Sequence, residues 1–136
     1  MSVFEFQQKV LFKHCDPAGI VFYPRYFEMM NDCVEAFFDE ALGMPFETLH
    51  ATGGVPTGRI ETRFSAPSRH GDHLTFRLKF VRIGGSSADY VMTAHCEDEL
   101  RLTTKATLVH VGAIGRSAPW PEAIRERLNS YKDEAP

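Results

Sequence analysis

The sequence predicts an α+β fold, in which a curved antiparallel sheet of five strands is wrapped around one long central helix. Apolar residues recur at steps of three and four between Pro24 and Ala41, which is the period of a helix. One alternating segment precedes this helix and four follow it, which is the period of strands. The loops between the later segments are too short for the helical crossovers that parallel strands need, so the sheet is predicted to be antiparallel.

The first strand is predicted over residues 3–13. Phe4, Phe6, Val10 and Phe12 fall on one side of it, and polar residues alternate with them except at Gln8. This pattern is typical of a strand with one face buried.

The helix is predicted to begin at Pro24, because the missing N–H of a proline would have no partner at a helix start. Gly43 suits its end, and Pro45 cannot continue it. We expect the wide apolar face to be enclosed and to serve as core. Its residues are Phe27, Met30, Val34, Phe37 and Ala41, flanked by Tyr26, Met29, Cys33 and Ala36.

Four further strands follow, separated by Pro67 and Gly71-Asp72, by Gly84-Gly85 and by Glu97-Asp98-Glu99. Pro121 is predicted to open a short C-terminal helix. The predicted inward positions are Ile60, Thr62 and Phe64 in the first of the four strands, Leu74, Phe76, Leu78 and Phe80 in the second, Ala88, Tyr90, Met92 and Ala94 in the third, and Leu100, Leu102, Thr104, Ala106 and Leu108 in the fourth, with Ile124 and Leu128 on the helix.

Length, composition and net charge limit the classes of protein to which this chain can belong. The 136 residues fit one domain, 1–136, and 43% of them are hydrophobic, so a packed core is expected. A net charge of −3 argues against a nucleic-acid binder. No signal peptide or membrane-spanning segment is expected. The three cysteines share no CxxC spacing, which argues against a disulfide framework or a four-cysteine zinc site and indicates reduced thiols in a cytoplasmic protein. No metal and no other cofactor is expected.

The segment from His14 to Tyr26 contains the main candidate catalytic residues. It places Asp16 in a Pro/Gly turn a few residues before the predicted helix start. A carboxylate there can attack a carbonyl or deprotonate water. The unpaired N–H groups of a helix start can stabilise the oxyanion that forms. Phe22 and Tyr26 lie next to this turn, on its C-terminal side, and are candidate contacts for an acyl group.

The run Asp16-Pro17-Ala18-Gly19-Ile20-Val21-Phe22-Tyr23-Pro24, followed by Tyr26 and Phe27, resembles the signature of the 4-hydroxybenzoyl-CoA thioesterase family. The resemblance implies a hotdog fold that pairs edge to edge into homodimers, often assembled further into homotetramers. It implies hydrolysis of an acyl-CoA thioester, with Asp16 as nucleophile or general base and the backbone N–H of Tyr23 polarising the carbonyl.

The same resemblance directs the coenzyme A contacts to the region from Arg82 to Ser87. Arg82, Ser86 and Ser87 are the candidates there, on backbone expected to be flexible. Arginine suits phosphate groups because its guanidinium is a fixed fork of donors.

Several alternatives remain at this point. Asp16 is also an ordinary residue for an Asp-Pro turn, and Cys15 beside His14 is a rival nucleophile. His70, Asp72 and His73 form either a solvated turn or, less expectedly, a metal site. The whole protein could be a non-catalytic acyl-thioester-binding protein or an enoyl thioester hydratase, although the predicted helix lacks the histidine that a hydratase of this fold uses. The acyl group, and whether coenzyme A or a carrier protein delivers it, stay open.

Overall fold

A computed structural model describes residues 3–132. Along the chain these residues form strand β1 (Phe4–Lys9), helices α1 (Tyr23–Glu40) and α2 (Phe46–Leu49), strands β2 (Gly53–Gly54), β3 (Thr57–Phe64), β4 (His73–Ile83), β5 (Ser87–Cys96), β6 (Glu99–Val109) and β7 (Val111–Gly112), and helix α3 (Glu122–Ser130). Five strands make one sheet in the order β1-β4-β5-β6-β3, and every neighbouring pair is antiparallel. The predicted antiparallel α+β architecture with five strands is confirmed.

The three central strands supply the sheet's contribution to the core. Their side chains alternate between buried and more exposed, as the sequence period predicts. The buried set is Leu74, Phe76, Leu78 and Phe80 on β4, Ala88, Tyr90, Met92 and Ala94 on β5, and Leu102, Thr104, Ala106 and Leu108 on β6. Leu100 was also predicted to face inward but is only partly buried, because the register of β5 and β6 shifts between Leu102 and Leu100.

Helix α1 is 18 residues long and begins at Tyr23, one residue before the predicted start. Phe22 precedes it in an extended conformation, and Pro24 lies in its first turn. Phe37 joins the helix to the sheet, because its ring centroid lies 5.5 Å from that of Phe4 on β1 and 5.2 Å from that of Phe80 on β4. The helix buries Tyr26, Met29, Met30, Cys33, Val34, Phe37 and Phe38.

The first strand is shorter than predicted. The Val10 N–H donates to the Asp72 carbonyl, and the chain then leaves the sheet in a short 3-10 turn over Phe12–His14. The Leu11 N–H donates to His14 Nδ1 at 2.9 Å and closes this turn. Phe12 is therefore 81% exposed, and its predicted inward position is wrong.

Strand β3 also departs from the prediction. It lies at one edge of the sheet, where β6 is its neighbour among the described residues. Ile60 and Phe64 were predicted to face a core, but they are 42% and 44% exposed. The alternation of the sequence identifies the face of a strand and does not reveal that the strand lies at an edge.

Smaller elements complete the structure. Neither α2 nor the β2–β7 pair was predicted, because both are too short to show a period. Helix α3 was predicted and buries Ile124 and Leu128 as expected. No helix within residues 3–132 has the length and apolar character needed to span a membrane.

Candidate active site

The segment from His14 to Phe22 folds back on itself as a small hairpin. The Phe22 N–H donates to the His14 carbonyl at 2.9 Å, Cys15 pairs with Val21, and the Asp16 N–H donates to the Ile20 carbonyl at 3.0 Å. In this ladder the Asp16–Ile20 pair lies two pairs from the His14–Phe22 pair, and Phe22 is the residue just before α1.

The Asp16 side chain is half-buried in the tip of this hairpin. Its Oδ1 accepts a hydrogen bond from the Ala18 N–H at 2.9 Å, as in an ordinary Asx turn. Gly19 completes the turn with a φ of +81°, which a residue with a Cβ adopts only under strain. In the part of the chain that the structure describes, Asp16 Oδ2 has no hydrogen-bond partner. Oδ1 thus stabilises the turn, while Oδ2 remains free to contact a substrate or a water molecule.

The start of α1 presents a free donor. The Tyr23 N–H is the first of the helix, and within residues 3–132 it has no hydrogen-bond partner. Pro24 contributes no N–H, and the Arg25 N–H donates to the Phe22 carbonyl at 2.8 Å. The Tyr23 N–H therefore stands at the positive end of an 18-residue helix dipole.

A cavity of about 330 Å³ lies against this helix start. Phe64 forms part of its wall, with its ring centroid 6.4 Å from that of Tyr23 and 5.6 Å from that of Tyr26. The carboxyl group of Asp16 does not itself line the cavity. The lining residues are Ile20, Val21, Tyr23, Tyr26, Phe64, Ser65, Ala66 and Pro67.

A larger cavity of about 760 Å³ follows α1 away from its start. Phe27, Met30 and Val34, predicted to be core, line it. The Phe27 ring centroid lies 6.5 Å from that of Phe64, so the two cavities are neighbours. Helical periodicity identifies an apolar face, but only packing shows whether that face meets side chains or a cavity.

Phe22 and Tyr26 differ in their exposure. Phe22 is 46% exposed, with its ring centroid 5.6 Å from that of Tyr23. Tyr26 is buried, and its hydroxyl donates to Ser68 Oγ at 2.8 Å. Burial raises the pKa of Tyr26, so its hydroxyl stays protonated near neutral pH. Tyr26 thus lines the smaller cavity while its hydroxyl is engaged with Ser68.

Arg82, Ser86 and Ser87 lie far from Asp16 within one chain. The loop that contacts the Asp16 hairpin precedes β4, whereas these three residues lie at the end of β4 and the turn after it. An 11-residue strand separates the two sets by about 30 Å. Arg82 is exposed there, with Nη1 3.9 Å from Asp89 Oδ2.

The turn from Gly84 to Ser87 is held in place, although flexible backbone was expected. The Trp120 N–H donates to the Gly85 carbonyl and its indole N–H to the Ser87 carbonyl, both at 3.0 Å. Arg125 Nη1 donates to the Gly84 carbonyl at 2.6 Å. The C-terminal segment thus fixes this turn, which local sequence could not indicate.

The structure does not support a pairing of Cys15 with His14. His14 Nδ1 accepts the Leu11 N–H, and Cys15 Sγ lies 3.7 Å from the Leu11 carbonyl oxygen. Burial, with a contribution from Lys13, lowers the pKa of His14. Burial also raises the pKa of Cys33 to about 12, so that thiol is protonated and unreactive.

A polar cluster that the sequence did not reveal lies behind the hairpin. Asp72 Oδ2 accepts from Arg101 Nη1 at 2.7 Å and from the Arg69 N–H at 2.9 Å. The hydrogen bond from Arg101 holds the pKa of Asp72 below its usual value. In residues 3–132 no three potential metal ligands converge, either at His70–His73 or elsewhere. In the sequence, Arg101 stands between Leu100 and Leu102, at a position that the alternation of the strand predicts to face outward. No sequence signal therefore marked it as part of a buried cluster.

The family model of the thioesterase-like superfamily matches residues 10–128. The chain belongs to this superfamily. Its antiparallel five-stranded sheet with helices is the hotdog thioesterase fold.

Solved structures agree with the fold. The 1,4-dihydroxy-2-naphthoyl-CoA thioesterase Slr0204 from Synechocystis is 16% identical, with a TM-score of 0.86 over 94% of this chain and 96% of that one. The gentisyl-coenzyme A thioesterase BH1999 is 26% identical, with a TM-score of 0.82 over 93% and 99%. The SAV2348 protein from Staphylococcus aureus, solved in complex with CoA, is 18% identical, with a TM-score of 0.86 over 99% and 89%. A comparison with curated proteins finds no match.

Proposed function

We propose that this hotdog protein hydrolyses an acyl-CoA thioester to a free acid and coenzyme A. The observation that carries the proposal is the Tyr23 N–H at the start of α1, which has no hydrogen-bond partner among the described residues and lies beside an apolar cavity. The hairpin that contains Asp16 leads directly into this helix start. Within the superfamily, the resemblance of Asp16–Phe27 to the signature of the 4-hydroxybenzoyl-CoA thioesterases supports the proposal that the chain belongs to that family. The CoA thioesters named for Slr0204 and BH1999 support a substrate of this class.

In the proposed reaction, the thioester carbonyl oxygen accepts the Tyr23 N–H, which stabilises the negative charge that develops on it. Asp16 acts by one of two routes. Its carboxylate attacks the carbonyl carbon, the C–S bond breaks, coenzyme A leaves as a thiolate, and water hydrolyses the resulting anhydride. Alternatively, it takes a proton from water, and the hydroxide adds to the carbonyl before the C–S bond breaks. Asp16 Oδ2, free of the turn's hydrogen bond, suits either role.

Substrate binding is proposed to require two subunits. Phe22 and Tyr26 contact the acyl group, since both adjoin the start of α1. Arg82, Ser86 and Ser87 contact coenzyme A. They lie about 30 Å along β4 from the Asp16 hairpin, so we assign them to the site of a partner subunit. The CoA complex of SAV2348 supports coenzyme A as a ligand of this fold.

The edge strand β3 is the proposed dimer contact. Its outer edge has no neighbour among the described residues, and Ile60 and Phe64 are partly exposed beside the two cavities. An edge of this kind is a template for pairing with a second copy. We therefore propose a homodimer joined at β3, with a homotetramer as the further assembly. A cytoplasmic location is proposed because Cys15, Cys33 and Cys96 are all free.

Asp16→Asn tests the reaction directly. The amide oxygen of Asn can still accept the Ala18 N–H, so the turn is kept while the carboxylate is lost. Thiol release from a panel of aryl, branched and straight-chain acyl-CoAs should show turnover by the wild type. The variant should be about 100- to 10,000-fold slower, the usual contribution of an acid–base group. Equal rates in the two proteins would remove Asp16 from the mechanism.

The same panel separates the two other functions. Acyl-CoA binding without turnover by the wild type would identify a non-catalytic binding protein. Hydration of an enoyl-CoA would identify a hydratase, although α1 contains no histidine to serve as its base.

A further inference from the structure

Arg101 is a largely buried cation on β6, with a side chain that is 11% exposed. Its Nη1 donates to three acceptors of one loop, the Pro67 carbonyl at 3.1 Å, Ser68 Oγ at 3.1 Å and Asp72 Oδ2 at 2.7 Å. On its other side, Nε lies 2.7 Å from Glu99 Oε1 as an ion pair, but the angle there does not make a hydrogen bond. The guanidinium group therefore ties both ends of the loop from Pro67 to Asp72 to the sheet.

The backbone of Arg101 holds the same loop at its beginning. Its carbonyl accepts the Ser65 N–H at 2.8 Å and the Ala66 N–H at 3.3 Å, just after β3 ends. One residue thus fixes the connection between β3 and β4 through both its main chain and its side chain.

This loop is the surface on which the Asp16 hairpin rests. The Val21 N–H donates to the Ser68 carbonyl at 2.8 Å, and Ile20 pairs with Arg69 as an isolated bridge. Ile20 is also the residue whose carbonyl accepts the Asp16 N–H. A shift of the loop would therefore move the Asp16 turn and the residues leading into Tyr23.

A second path leads from Arg101 to the helix start through side chains. Ser68 Oγ accepts from both Arg101 Nη1 and the Tyr26 hydroxyl, and all of Ser68 is buried. Tyr26 lies in the first turns of α1 and forms part of the wall of the 330 Å³ cavity. Arg101 is thus connected to both elements of the candidate active site while lining neither cavity.

We infer that Arg101 is a positioning residue for the proposed thioester hydrolysis: through Ser68 and Asp72 it fixes the relative placement of the Asp16 turn and the Tyr23 amide. The inference rests on the proposed function. Arg101 does not touch the substrate, so its contribution should appear in kcat and only weakly in KM. Displacement of reacting groups by about 1 Å can lower the rate about 100-fold.

The test compares Arg101→Ala, Arg101→Lys and Ser68→Ala with the wild type, using an acyl-CoA that the wild type hydrolyses. Rates are calculated per folded protein, with the folded fraction taken from circular dichroism and urea titration. Arg101→Ala is expected to lower kcat about 100-fold while KM changes by less than about threefold. Ser68→Ala should give a smaller fall of the same kind. Arg101→Lys, which keeps the charge facing Asp72, should restore part of kcat.

Arg77→Ala is the matched control. Arg77 lies on β4, its side chain is 54% exposed, and it pairs with Glu5 at 3.1 Å on the outer surface. It should retain the kcat and KM of the wild type. If Arg101→Ala fails to fold, the kcat values of Arg101→Lys and Ser68→Ala test whether Arg101 positions the site.

Folded variants of Arg101 and Ser68 with the kcat of the wild type would overturn the inference and leave the proposed function intact, provided that Asp16→Asn is inactive. A wild-type protein that hydrolyses no thioester would remove the proposed function and the inference together.

Discussion

The Tyr26 hydroxyl donates a hydrogen bond to Ser68 Oγ at 2.8 Å, between residues separated by 42 positions in the chain. This bond joins the first turns of α1 to the loop that precedes β4. Both residues are buried, so neither polar group can replace the bond with water without local opening. The bond therefore contributes to stability and also fixes one wall of the candidate active site.

Tyr26→Phe should lower the free energy of unfolding by about 1 kcal/mol, the usual net contribution of one hydrogen bond. Urea titration would measure the change. Tyr23→Phe is the matched control for stability, because the Tyr23 side chain is 59% exposed and its hydroxyl has no described partner. A similar loss in both variants would show that the Ser68 contact contributes nothing specific.

Asp72→Asn should destabilise the protein in a pH-dependent manner. The hydrogen bond from Arg101 lowers the pKa of folded Asp72 below its unfolded value of about 3.9. The unfolded chain therefore binds more protons in the window between the two values, and stability rises with pH there. The stabilisation is complete above about pH 5 and is lost as the pH falls through the folded pKa.

The measurement is urea unfolding of the wild type and Asp72→Asn at pH 7 and at pH 3. We expect a difference of about 1.5–3 kcal/mol at pH 7, typical of a hydrogen bond to a charged group, and a smaller one at pH 3. A difference independent of pH would contradict the role assigned to the carboxylate.

Phe37→Ala should be among the most damaging core substitutions. Phe37 is fully buried and contacts aromatic rings from β1, β4 and the end of α3. Its loss should lower the free energy of unfolding by about 3–5 kcal/mol. Phe12→Ala provides the comparison at an 81% exposed position and should change stability by less than about 0.5 kcal/mol. Thermal and urea unfolding would measure both.

Ile60→Lys should weaken the proposed dimer. It places a charge on the edge strand β3, which natural proteins use to block pairing of strand edges. Sedimentation velocity should show a shift from dimer towards monomer. Val81→Lys is the control, because Val81 is 41% exposed, close to the 42% of Ile60, but lies on an interior strand of the sheet. Equal dimer content in the two variants would place the contact elsewhere.

Sequence patterns predicted most of the fold because the period of burial is a local property. The inward residues of β4, β5 and β6 and the buried face of α1 follow directly from alternation and helical spacing. Phe12, Ile60 and Phe64 fail for a different reason. Their exposure depends on where a strand ends and on which strand lies at the edge, and these are set by pairing with distant residues.

Local sequence was enough to predict the Asp16 turn, the start of α1 near Pro24 and the superfamily signature, because these depend on residues close together in the chain. Three-dimensional packing was needed to show that Arg101, Ser68 and Asp72 support that turn. It was also needed to show that the stripe from Phe27 to Val34 lines a cavity and that Arg82 lies at the opposite end of β4. Contacts between residues far apart in the chain depend on strand order and packing, which leave no periodic signal in the sequence.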